Sequence, residues 1–112
     1  MPVKAGFFME QKDILTSLSL IQKDFQLNSN HWKIAEEEIN AEKAFSLLYK
    51  LVEHLLSHDF NRLINSLYRI DVSEEKLKAA LAISSNPAQT ISEMIWEREL
   101  QKVEFRKRYA QS

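Results

Sequence analysis

The chain has 112 residues, enough for one hydrophobic core and too few for two. Apolar residues make up 45% and charged residues 28%, which excludes a disordered chain, and the formal net charge of -1 gives no long-range pull toward nucleic acid or anionic lipid. Cysteine is absent, so disulfides, thiolate nucleophiles and sulfur-ligated zinc are excluded, a reducing cytoplasm is the expected home, and no run approaches the roughly 18 apolar residues of a membrane helix.

The expectation is a single all-α domain over residues 1–112, a compact orthogonal or irregular bundle of five to six helices. The single glycine, Gly6, precedes every periodic segment, so the turns and bulges of β architectures have no glycine to use. Met9, followed by Glu10, Gln11 and Lys12, reads as an alternative start that would make residues 1–8 an upstream extension or a disordered lead. Ile14, Leu15, Leu18, Ile21 and Phe25 recur at three- and four-residue steps and predict a first helix over 9–27. Asn28, Ser29 and Asn30 interrupt it, and a short second helix is predicted over 31–39 with Trp32, Ile34, Ala35 and Ile39 inside.

The most apolar segment follows: Ala44, Phe45, Leu47, Leu48, Leu51, Val52, Leu55 and Leu56 predict the central helix. Asp59 is placed to cap the next helix, whose inner face is read as Phe60, Leu63, Ile64, Leu67 and Tyr68. Ser73 repeats the device ahead of Leu77, Ala80 and Leu81, with Glu74 and Glu75 where the helix dipole favours negative charge. Asn86, Pro87 and Gln89 mark the start of the last helix as cap, first-turn proline and third-position partner. On that helix Ile91, Ile95, Trp96, Leu100 and Val103 fan across about half the circumference, with Glu99 inside the arc and Met94, Glu97, Arg98, Gln101, Glu104 and Phe105 outside it.

Chemistry-bearing clusters are sparse. His54 and His58 have the four-residue spacing by which two imidazoles share a metal, with Glu53 or Asp59 as oxygen ligands, but Leu55 stands where a zinc helix carries its glutamate, and histidines bordering an apolar face are the simpler reading. Glu99 lies inside the inner arc and, if buried, needs a cation, Arg69 or Lys102, and structural pairing outweighs a general acid or base role because no pocket or second catalytic group accompanies it. Arg69 and Asp71 are read as polar side chains holding a tight corner. Phe60 to Leu81 has the order of a helix-turn-helix, yet its second helix opens with Glu74 and Glu75, which repel phosphate.

Two surface readings remain. Arg98, Lys102, Arg106, Lys107 and Arg108 form a basic end of the last helix, an alternative site for nucleic acid or an anionic surface, with nucleic acid the less favoured partner. Trp96, Phe105 and Tyr109, together with Phe7 and Phe8, exceed what the core needs and mark an interface, the expected function being protein–protein interaction or an accessory role, homodimeric through the last helix. Glycine-rich phosphate loops and nucleophile elbows are missing, so no enzyme activity, cofactor or membrane partner is expected.

The segments Leu67-Tyr68-Arg69-Ile70-Asp71-Val72-Ser73-Glu74 and Ile95-Trp96-Glu97-Arg98-Glu99-Leu100-Gln101-Lys102 resemble a group of short bacterial proteins with an LYRIDV-type corner and a terminal ER-x-LQK helix. The likeness covers roughly the last half of the chain. It implies a helical fold and a bacterial cytoplasmic setting and carries no activity or ligand with it. Trp96 stands where those proteins would carry a smaller aliphatic residue.

Overall fold

Helices in this protein begin where a side chain is available to accept an otherwise unpaired backbone N–H. In the computed structural model, which describes residues 11–27 and 40–111, five helices are present: α1 (Gln11–Asp24), α2 (Ala41–His58), α3 (Phe60–Ile70), α4 (Glu74–Ile83) and α5 (Pro87–Gln111). Asp59 accepts from the Arg62 N–H at 3.2 Å, Ser73 from Lys76 at 3.5 Å and Asn86 from Gln89 at 3.3 Å, the three starts predicted from sequence. Asn40 caps α2 in the same way, accepting from Lys43 at 2.9 Å, a start the apolar pattern did not mark. Asp59 also ends α2 through its own N–H, which donates to the Leu55 carbonyl, so one residue separates two helices.

Helix ends follow a second rule. With no glycine available, α1 and α3 close on the left-handed residues Gln26 (φ 54°) and Asp71 (φ 70°). In each case the next residue, Leu27 or Val72, donates to a carbonyl five positions back and lays its side chain on the core. A Cβ in that conformation costs about 1 kcal/mol relative to glycine, which the hydrogen bonds and the apolar contact offset.

The long α5, 25 residues and so about 38 Å of helix, packs against each of the other four helices. Leu18, Ile21 and Phe25 from α1 and its end, Phe45, Leu48 and Val52 from α2, and Leu63 and Ile70 from α3 are fully or almost fully buried with Ile91, Ile95 and Trp96 of α5. Phe45 and Trp96 meet edge to face at 6.3 Å. The radius of gyration, 13.8 Å, is that of a tightly folded chain of this size.

The all-helical expectation therefore holds, with five helices among the described residues and no strand. The predicted helix over 31–39 and the reading of residues 1–8 lie outside the described residues. Three side chains assigned to inner faces are corrected: Phe60, Tyr68 and Leu81 are exposed, because α3 buries one stripe against α2, α1 and α5, α4 buries one against α5 alone, and both leave their remaining apolar positions on the outside. Met94, assigned to the outer face of α5, packs against the core.

Candidate functional site

Three of the large apolar residues that α3 and α4 leave exposed, Phe60, Tyr68 and Leu81, gather in one place beside buried ones. Phe60, Ile64, Leu67 and Tyr68 of α3, Val72 of the corner, and Leu77 and Leu81 of α4 line a groove of about 200 Å³. Tyr68 is 63% exposed, and Ile83, at the end of α4, is 81% exposed. Glu74 and Lys78 pair at 3.5 Å along the rim, an exposed contact one helical turn apart that contributes a few tenths of a kcal/mol. The groove is a product of helix spacing: α3 and α4 are adjacent in sequence, yet each packs on α5 more than on the other.

A second constellation lies between α1 and α5. Asp13, Ser17, Leu20 and Asp24 form one stripe on α1, all buried or nearly so, and the pairs Asp13 with Lys107 and Asp24 with Lys102 show that α1 and α5 run in opposite directions. Lys102 Nζ stands 3.2 Å from Asp24 Oδ2 and 3.0 Å from Glu99 Oε1, so one ammonium serves two carboxylates. Glu99 is fully buried, and apart from the Lys102 contact at Oε1 neither of its carboxylate oxygens has a hydrogen-bond partner among the described residues. Burial pushes its carboxyl up to about 7, against the hydrogen bond and charge of Lys102, which favour the anion, while the nearby Asp24 raises it further.

The end of α1 is held from α3 as well. Arg62 donates to the Phe25 and Gln26 carbonyls at 3.1 and 2.9 Å, and Arg69 donates to the Asp24 carbonyl at 3.0 Å. These are cations on the negative end of a helix dipole and on carbonyls no helix can satisfy. Sequence reasoning offered Arg69 to Glu99; the structure sends it to the backbone of α1 and leaves Glu99 to Lys102. Arg62 was missed altogether, because a charged residue on an amphipathic helix carries no mark of the carbonyl it will reach.

The corner and the terminal helix, matched separately in the resemblance above, meet in a polar cleft of about 100 Å³ lined by Asp71, Ser73, Lys76, Glu97, Arg98 and Gln101 among others. Arg98 lies 3.5 Å from Asp71 Oδ2 and 3.4 Å from Gln101 Oε1. Both contacts are long and largely solvent-facing and contribute little stability.

The remaining predicted residues are dispersed. His54 and His58 stack at 4.6 Å, with His58 Nδ1 turned to the His54 carbonyl at 3.2 Å, and no group of three or more metal-ligating side chains occurs among the described residues. Of the five basic residues, Lys102 and Lys107 are drawn inward by carboxylates of α1 and Arg98 faces Asp71, which breaks the continuous cationic end the sequence suggested. Trp96 is corrected from an interface candidate to a core residue, 0% exposed against Phe45. Phe105 and Tyr109 do stand outside, 61% and 70% exposed, in edge-to-face contact at 4.7 Å.

No described helix is long and apolar enough to cross a membrane. No family model, curated protein or solved structure matches the chain.

Proposed function

We propose that this protein is a non-enzymatic interaction module that receives an apolar segment of a partner protein in the α3–α4 groove. The observation that carries this reading is the groove itself: seven apolar side chains around about 200 Å³, with Phe60, Tyr68 and Leu81 each more than a third exposed. Large apolar side chains left together on a surface cost solubility and are common at recognition sites. An amphipathic helix with anchors spaced along one face suits a trough between two helices. A bacterial cytoplasmic setting goes with the cysteine-free composition and with the corner motif, and an irregular rather than parallel bundle goes with one long helix touching all the others.

The reading is tested by placing a photo-crosslinking residue at Leu81 and, as a control, at the exposed Glu42, in cells that express the protein. A discrete crosslinked partner from Leu81, lost when Tyr68→Glu is added and absent from Glu42, is the expected result. Equal labelling from both positions, or none from the groove, overturns it.

A second reading, self-association, is favoured by the exposed Phe105–Tyr109 pair near the end of α5. Light scattering over a concentration series, with Phe105→Ser and Tyr109→Ser together, tests it, and a monomer at every concentration rejects it. Changing Trp96 would be uninformative here, since that residue lies in the core.

A further inference from the structure

We propose that Glu99 and Asp24, in competition for the single ammonium of Lys102, form a proton-controlled latch that holds the end of α1 on α5. The geometry is unbalanced by design of the sequence: two carboxylates and one cation occupy an interface where Glu99 is fully buried and Asp24 nearly so. With a proton on Glu99 the site is neutral, and Lys102 belongs to Asp24. When Glu99 loses that proton to water, a second negative charge enters a region of low dielectric and competes for Lys102. The Asp24 contact is then weakened, and it is the side-chain charge contact that ties the C-terminal end of α1 to α5.

Among the described residues no other charge compensates. On α1, Asp13 is engaged one stripe away by Lys107 of α5. From α3, Arg62 and Arg69 approach, but they are committed to the carbonyls of residues 24 to 26. The charged side chains and histidines of α2, namely Glu42, Lys43, Lys50, Glu53, His54 and His58, are exposed, its half-buried Tyr49 hydroxyl is engaged by Asn86, and Glu74, Glu75, Lys76 and Lys78 of α4 are exposed. Ser17, the only other polar group on the buried stripe of α1, has no hydrogen-bond partner among the described residues and offers no positive charge. The burial that raises the Glu99 carboxyl sets the release near neutral pH.

The consequence is an α1–α5 interface that is tightest in mild acid and loosens as pH rises through neutrality. The folded chain keeps the Glu99 proton across an interval in which the unfolded chain has already released it, so the ratio of folded to unfolded protein falls with rising pH there, by on the order of a hundredfold in all.

Three measurements on the full chain test this. Carbon-detected NMR of the unmodified protein follows the Glu99 carboxyl directly: titration near neutrality is expected, and titration in the ordinary carboxylate range overturns the proposal. Thermal unfolding across pH compares the unmodified protein with Glu99→Gln: the decline between the ordinary carboxylate range and neutrality is expected to flatten in the variant, and parallel profiles overturn it. Every other ionisable group is common to both proteins, so the comparison isolates Glu99. Asp24→Asn gives Lys102 wholly to Glu99 and is expected to move the Glu99 titration to lower pH; an unmoved titration shows that the two carboxylates do not compete.

Discussion

The seam between α1 and α5 and the groove between α3 and α4 invert each other. The seam puts ionisable groups inside and satisfies most of them with one another, whereas the groove leaves the apolar Phe60, Tyr68 and Leu81 outside on a floor of core residues. Removing a partner from the seam leaves a buried charge uncompensated, while removing Phe60, Tyr68 or Leu81 from the groove leaves only a surface already in water. Stability should therefore be concentrated in the first region and recognition in the second.

The largest effect that bears on this contrast is expected from Lys102→Ala. It strands Glu99 and Asp24 together without a cation, and a loss of about 3 to 5 kcal/mol at neutral pH is expected by denaturant unfolding. Acidification should recover part of that loss, because protonating Glu99 removes the repulsion; a loss independent of pH would detach Lys102 from the carboxylates. Trp96→Ala, a cavity where α2 meets α5, should cost a comparable amount, about 3 to 5 kcal/mol, with no such dependence on pH. The two variants differ in pH response rather than in size.

Smaller effects sharpen the comparison from the other side. Arg62→Met removes the donor to the Phe25 and Gln26 carbonyls and should destabilise by about 1 to 2 kcal/mol, with faster amide exchange confined to the end of α1. Leu81→Glu in the groove should change stability by no more than about 0.5 kcal/mol in chemical denaturation, since the residue is already 40% exposed. A large loss there would mean that the groove is core and not a docking surface. Asp71→Gly, which relieves a left-handed residue, should raise the unfolding free energy slightly, by up to about 1 kcal/mol, in chemical denaturation.

Much of the architecture was legible in the amino-acid order. Asp59, Ser73 and Asn86 announce helix starts because a short polar side chain there satisfies an orphan N–H locally, with no reference to the rest of the fold. The repeats of Ile14, Leu18 and Ile21, and of Leu48, Val52 and Leu55, report buried faces for the same local reason. Glu99 was legible as an inward carboxylate from its angular position alone.

What the order of residues did not contain was which apolar face would find a neighbour. Phe60, Tyr68 and Leu81 have the same spacing as true core residues, and Trp96 has the same bulk as a true interface residue; only the packing of four helices around α5 assigned the first three to the surface and the fourth to the interior. The sharing of Lys102 between α1 and its own helix, separated by 78 positions along the chain in the case of Asp24, is likewise a tertiary event. Helix formation and capping are short-range and are written in neighbouring residues, whereas burial and charge pairing depend on distances that close only when the whole chain has folded.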